Sequence, residues 1–303
     1  MADVTRRRTG EFIRKLFELL IPHPEGLPAR EALDALRAKV QLTEYEKGSY
    51  ESGGQRFEQI VRSATVDCVK AGWLLKHKGR WSITDEGKAI YATIADPEEF
   101  YRRAVKLYRE WKASQPGGQA AIKSSEPGQE NGLDDGGSKS ASITFEQAEE
   151  QAWGEVEQYL RAMPPYDFQE LVASLLRAMG YHVSWVAPPG KDGGIDILAS
   201  SDPLGTRPPR IKVQVKRVGQ NVTVDGLRSF MAVLGEDDVG LFVTTSGFTK
   251  DAQDEARTQA KRKVTLLDLE KLFDLWVEHY GRLDDVARRR LPLQEIWFLA
   301  PET

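Results

Sequence analysis

Three side chains of unlike chemistry share the stretch from Gly190 to Lys216, GKDGGIDILASSDPLGTRPPRIKVQVK: the carboxylate of Asp196, the amide of Gln214 and the ammonium of Lys216. Oxygen donors with a cation beside them are what a hard divalent ion and a phosphate group call for. Ile211, Val213 and Val215 alternate with Lys212, Gln214 and Lys216. That is the period of a half-buried strand, so Gln214 and Lys216 project from one face together. The segment before it reads as a glycine turn, a short apolar strand carrying Asp196 and a proline-rich turn. Paired as an antiparallel hairpin, the two strands bring Asp196 to the same side, at one sheet edge. The same spacing also fits an ordinary solvated face of a sheet.

The elements that must position these groups follow from periodicity. Tyr166 to Met179 reads as a helix with Phe168, Leu171, Val172, Leu175 and Leu176 as its core stripe, Glu170 at the stripe's border and Gly180 at its end. A strand is expected from Tyr181 to Val186, and a helix from Val224 to Leu234 after the hairpin. GLFVTTS then forms a nearly continuous apolar strand, and Thr249 caps a helix to about Arg262. KVTLLD is a last strand and Leu269 to Tyr280 a last helix. This order, αβββαβαβα, argues for a mixed α/β sandwich. A further helix from Thr144 precedes it and stops at Pro164-Pro165.

With 303 residues, 40% hydrophobic and 29% charged, the chain has the size of two ordinary domains and the composition of a globular protein. Its one cysteine, Cys68, excludes an internal disulfide framework and suits a reducing compartment. The basic start MADVTRRRTGEFIRKLFELL is followed by an apolar run that charges interrupt, without a cleavage site, so no signal peptide is read. No apolar run reaches membrane-spanning length, and a cytoplasmic location is expected. His23, His77, His182 and His279 are scattered without zinc-ligand spacing, and no Ser-His-Asp arrangement is apparent.

Charge is uneven. Residues 1 to 113 carry 21 Lys/Arg against 17 Asp/Glu, whereas residues 143 to 303 carry 19 against 25. The amino-terminal part is thus the better candidate for gripping a polyanion. It reads as a helix from Thr9 to Ile21, a second from Pro28 to Val40, a polar loop from Thr43 to Gly54, and a third helix from Gln55 to Ala71. WLLKHKGRWSIT follows as a hairpin turning at Lys78-Gly79, then helices from Thr84 and from Asp96. Three helices and a basic hairpin are the order of a winged helix-turn-helix, in which the third helix enters a major groove and the hairpin lies along phosphates. The DNA-contact candidates are Gln55, Arg56, Gln59, Arg62 and Ser63 on the helix and Lys76, His77, Lys78 and Arg80 on the hairpin. The same charges would also serve merely to solvate the domain. From Ser114 to Ser142 the sequence QPGGQAAIKSSEPGQENGLDDGGSKSAS has little to bury, so residues 114–142 are read as a flexible linker between domains at 1–113 and 143–303.

The segment from Tyr166 to Trp276 resembles the catalytic domain of the Mrr-type restriction endonucleases, a branch of the PD-(D/E)xK nuclease superfamily. The resemblance lies in FQELVASLLRAMGYHV, GKDGGIDILA, IKVQVKR and LFVTTSGFTKDAQDEA, four separated pieces in the right order. The amino-terminal part is similar to the winged-helix domain that accompanies this catalytic domain. The resemblance implies a restriction-endonuclease-like α/β fold with a mixed central sheet, and metal-dependent cleavage of double-stranded DNA, with modified (methylated) DNA among the substrates it suggests, by a protein that pairs into a homodimer when cutting both strands. It carries the active-site aspartate onto Asp196, the glutamine of the QxK variant onto Gln214, the lysine onto Lys216 and the preceding acidic residue onto Glu170. Mg²⁺ (or Mn²⁺) would then take oxygens from Asp196, the amide of Gln214 and the carbonyl of Val215, while Glu170 completes the shell through a water. Lys216 would orient the attacking water or neutralise developing charge. Gln214 stands where the superfamily most often has Asp or Glu, which removes one negative charge from the metal. A competing reading is a DNA-binding regulator on a nuclease fold without activity. Gln214 favours it, and Asp196 together with Lys216 favours the enzyme.

Other groups carry weaker signals. Asp192 neighbours the site but suits a turn before glycine, and Gly193 and Gly194 suit either a turn or close phosphate approach. Ser246, Thr249 and Lys250 offer either a phosphate contact or a helix cap. Arg288, Arg289 and Arg290 form a basic run, and the final LQEIWFLAP either packs on the domain or mediates dimerisation.

Overall fold

The computed structural model describes residues 4–50, 54–114, 136–188, 190, 193–259 and 262–298. Contacts divide the chain into two compact units, one running up to Gly154 and joined by the segment from Trp297 onwards, the other Glu155–Ile296. Among the described residues no helix is long and apolar enough to cross a membrane.

The amino-terminal unit starts with helix α1 (Arg6–Leu20), capped by the Thr5 hydroxyl. Strand β1 (Leu27–Pro28) and helix α2 (Ala29–Lys39) follow. A short helix, α3 (Glu44–Lys47), sits in the segment read as a loop. Its signal is a capping box, in which the Thr43 side chain accepts from Glu46 and Glu46 accepts from the Thr43 backbone. Helix α4 (Arg56–Lys70) is the third long helix. Strands β2 (Leu74–His77) and β3 (Arg80–Ile83) pair antiparallel with His77 opposite Arg80, and β1 joins β3 on its other edge. The two-residue turn has positive φ at both Lys78 (46°) and Gly79 (68°), the conformation that matches hairpin twist. Helices α5 (Asp85–Thr93) and α6 (Pro97–Ser114) complete a winged helix-turn-helix whose core holds Phe12, Phe17, Phe57, Trp73, Trp81 and Phe100. Gly10 permits the closest approach here, because a Cβ at that position would lie 1.9 Å from the Pro97 carbonyl oxygen.

Helix α7 (Gly136–Ala162) begins eight residues before the expected Thr144, inside the tract read as linker. Most of that tract, 115–135, lies outside the described residues. The first half of α7 belongs to the amino-terminal unit, unlike the expected boundary at 143. The reason is burial: Ile143 packs with Val66 and Tyr108, and Lys139 pairs with the buried Asp67 at 2.7 Å.

The second unit contains helix α8 (Pro165–Ala178), strands β4 (His182–Val186), β5 (Ile197–Ser200) and β6 (Arg210–Lys216), helix α9 (Val224–Ala232), strand β7 (Asp238–Thr244), helix α10 (Lys250–Thr258), strand β8 (Val264–Leu267) and helices α11 (Leu269–Glu278) and α12 (Asp285–Arg290). The five strands lie in the order β4-β5-β6-β7-β8, antiparallel from β4 to β6 and parallel from β6 to β8. This is the expected mixed sheet and the expected αβββαβαβα order. Apolar residues of α9, β7, α10 and the segment before α10, including Leu227, Phe230, Phe242, Phe248 and Ala252, close one core over it.

Candidate active site

Asp196 sits immediately before β5, where the strand register with β6 begins at Ile197 opposite Val213. Its backbone N–H donates to the Val213 carbonyl at 2.8 Å, and its Oδ2 accepts the Val215 N–H at 2.7 Å. Side chain and backbone together replace the next rung of the ladder, which fixes the carboxylate against β6. Only 8% of Asp196 is exposed. Gln214, level with Asp196 on β6, donates from Nε2 to the Gly194 carbonyl at 3.2 Å. That bond settles which end of the amide is oxygen. The Oε1 atom is then buried and accepts no hydrogen bond. Gly194 has φ of 84°, and a Cβ there would sit 3.6 Å from the Gln214 amide nitrogen. Glycine is called for here by the positive φ of the turn, since a Cβ would only touch Gln214 at ordinary contact distance.

Asp196, Gln214 and Val215 are thus brought together. Lys216 ends β6 on the Gln214 face, opposite Thr244 of β7, with Nζ 5.6 Å from the Phe242 ring centroid. Glu170 is half-buried on α8 and faces Arg177 at 3.8 Å. The residue of α8 that reaches the site loop is its neighbour Gln169, only 6% exposed. Its Nε2 donates to the Ala187 carbonyl at 2.8 Å and also approaches the Asp196 carbonyl at 3.4 Å. The Ala187 N–H in turn donates to the Asp196 carbonyl at 2.8 Å. Gln169 thereby clasps both ends of the turn that precedes Asp196. Sequence reasoning passed over it; its one signal is an amide on the buried side of an apolar stripe, where an unpaired polar group is costly. Asp192 lies outside the described residues.

The hydroxyls near the β7 terminus are engaged locally. Ser246 Oγ donates to the Gln220 carbonyl at 2.8 Å, and Thr249 accepts from Ala252 as the cap of α10. Arg290 faces Asp167 at 3.3 Å, and Arg288 donates to the Gly281 carbonyl. Of the tail, Phe298 packs edge-on against Phe145 with centroids 5.7 Å apart.

On the amino-terminal unit the DNA-contact candidates fall into two groups. Gln55 accepts from Arg37, Arg56 stacks over Tyr45 at 4.4 Å, Gln59 is partly exposed beside Gly54, and Arg80 donates to the Gly26 carbonyl at 2.7 Å. Arg62, by contrast, is 4% exposed and bonded to Glu146 at 2.7 Å and Glu150 at 2.8 Å. Lys76 meets the same Glu146 at 2.5 Å, and Lys78 lies 5.3 Å from the Trp153 ring centroid. These three are covered by α7, because α4 buries a second face, marked by Thr65 and Val66, beyond its core stripe.

A divalent cation can be tested against the site's chemistry. No group of three His, Cys, Asp or Glu side chains converges among the described residues. A cation beside Asp196 would therefore draw on neutral oxygens, and the bare Oε1 of Gln214 is one such donor. A buried acceptor without a partner costs about 1–3 kcal/mol, which a cation would relieve. The residues fit a hard ion served by one carboxylate, an amide oxygen, a carbonyl and water.

A family model described as a restriction endonuclease matches residues 160–276, and one described as the Mrr N-terminal domain matches residues 10–93. The chain is a restriction endonuclease. It belongs to the Mrr type, with the winged helix in front of the catalytic fold. It is 26% identical to the type IV methyl-directed restriction enzyme EcoKMrr of Escherichia coli over 282 residues, 89% of this chain and 91% of that protein. A protein of Sinorhizobium fredii, the uncharacterized protein y4cE, is 30% identical over 108 residues, 34% of this chain and 27% of its own. Among solved structures, MspJI restriction endonuclease in complex with a 27-mer oligonucleotide is similar at a TM-score of 0.32 and 17% identity, with 70% of this chain and 47% of that chain covered.

Proposed function

We propose that this chain is a cytoplasmic, metal-dependent endodeoxyribonuclease that hydrolyses phosphodiester bonds of modified, in particular methylated, DNA. The observation that carries the metal site is the buried, unpartnered Oε1 of Gln214 next to the fixed carboxylate of Asp196. Asp196, Gln214 and the Val215 carbonyl would hold Mg²⁺ or Mn²⁺, with Glu170 as a further carboxylate on the neighbouring helix. The chemistry such an ion would supply there is polarisation of the scissile phosphate and acidification of the attacking water. Asp196 contributes a carboxylate whose second role, accepting the Val215 N–H, keeps it from rotating away. Lys216 supplies positive charge where charge grows on the phosphate, and it orients the water. Gln169 holds the Asp196 turn in place through Ala187. The methyl-directed activity in the name of the E. coli relative supports a modified substrate, with 26% identity along 89% of the chain.

Nicking of methylated plasmid by purified Asp196→Ala and Lys216→Ala tests the reading. Cleavage is expected to vanish in both with duplex binding retained, Lys216→Ala keeping its melting temperature and Asp196→Ala melting lower because the Val215 N–H loses its acceptor. Cutting at the wild-type rate by either variant would remove the assignment.

A further inference from the structure

The carboxylate of Glu146 on α7 is buried and receives three donors: Arg62 Nη1 at 2.7 Å, Lys76 Nζ at 2.5 Å and Trp81 Nε1 at 2.8 Å. Glu150, one turn further, takes Arg62 Nη2 at 2.8 Å. The hairpin turn is flush with the helix, since a Cβ on Gly79 would lie 2.9 Å from the Glu150 Cβ. Arg62 belongs to the helix, and Lys76 to the hairpin, that a winged helix turns toward duplex DNA. A guanidinium, an ammonium and an indole N–H converging on one point make a site for an oxyanion. Carboxylate and phosphate oxygens accept such charge-assisted bonds alike.

We propose that α7 occupies the phosphate-binding face of the winged helix in cis, with Glu146 and Glu150 standing where backbone phosphates of duplex DNA would bind. DNA and α7 then compete for Arg62, Lys76 and Trp81. The inference rests on the reading of the amino-terminal unit as DNA-binding. Electrostatics gives the competition its character. Removing the carboxylates without replacement would leave Arg62 as an uncompensated buried cation, which is strongly destabilising. Burial already draws the Lys76 ammonium below its ordinary value, against the pull of Glu146. The helix therefore leaves only when another dense array of anions arrives, and a duplex backbone is such an array. Intramolecular occupation holds the binding face closed toward weak or short anions.

The test is equilibrium binding of a fluorescein-labelled methylated duplex to the full chain, wild type against the Glu146→Gln/Glu150→Gln double variant. The double variant is expected to bind with a Kd lower by at least about tenfold. Hydrogen exchange on the wild type, which needs no substitution, is expected to show the amides of residues 139–154 losing protection when duplex is added. Binding by the double variant that is equal to or weaker than wild type, or protection of 139–154 unchanged by DNA, would overturn the competition and leave the DNA-binding reading standing. Should neither protein bind duplex, the DNA-binding reading falls and this inference with it.

Discussion

Gln214 is the residue on which the proposed metal site turns. Its amide nitrogen is tied to Gly194 and its amide oxygen is buried bare, so the side chain costs stability unless a ligand arrives. Replacement by Leu keeps the shape and removes the bare buried acceptor, a gain that offsets the loss of the amide's bond to the Gly194 carbonyl. Gln214→Leu is therefore expected to abolish cleavage while shifting stability by less than about 1 kcal/mol, as read from urea unfolding beside a plasmid assay. A large loss of stability would mean that the amide serves the fold. The shared face of Gln214 and Lys216 was legible in the strand period, whereas the approach of Asp196 depends on the antiparallel pairing of β5 with β6. Gln169 was hidden because its task is to satisfy two backbone carbonyls, and carbonyl positions are set by tertiary structure.

Among the elements, the long ones followed apolar period and the small ones followed local polar chemistry. The short helix α3 is held by the Thr43 capping box and by Arg8, whose Nε lies 2.8 Å from Glu46. Burial works to raise the Glu46 carboxyl, but the Arg8 guanidinium and the Thr43 N–H outweigh it and hold the pKa below the usual carboxylate range. A lowered folded-state pKa stabilises above the unfolded value of about 4.3 and loses that contribution as pH falls through the folded value. The stability gap between wild type and Glu46→Gln, read by urea unfolding followed by circular dichroism, is thus expected to be largest near neutral pH and to close as pH falls through the folded-state value. A gap unchanged by pH would show the pair to be without weight. Two other features of the elements had no trace in the sequence. Gly10 in α1 reads as a mere helix weakness until the Pro97 carbonyl is seen against it, and α7 starts within Gly- and Ser-rich residues because tertiary burial of Ile143 and Lys139 overrides propensity.

For the whole molecule, the two-part plan was legible from charge and composition: a basic winged helix, a polar tract, and an acidic α/β unit. What composition could not reveal is that the helix after the tract supplies the anions for the cations before it. Arg62 and Lys76 read as DNA contacts, and nothing in the sequence marks Glu146 as their partner. Only contacts distant in sequence connect them. The proposal of one Asp196 site per chain leads to the expectation that two chains act together when both strands are cut. Light scattering on the complex with methylated duplex and Ca²⁺ is expected to give the mass of two copies. A complex with a single copy that still makes double-strand breaks would contradict this.

The most direct measurement is cleavage of methylated plasmid by the full chain with Mg²⁺, with chelator, and by Asp196→Ala with Mg²⁺. Cutting by the wild type with Mg²⁺ and intact plasmid in the other two reactions is the predicted result. Cutting that survives chelation or the loss of Asp196, or plasmid left intact by the wild type with Mg²⁺, would contradict a metal-dependent nuclease centred on Asp196 and Gln214.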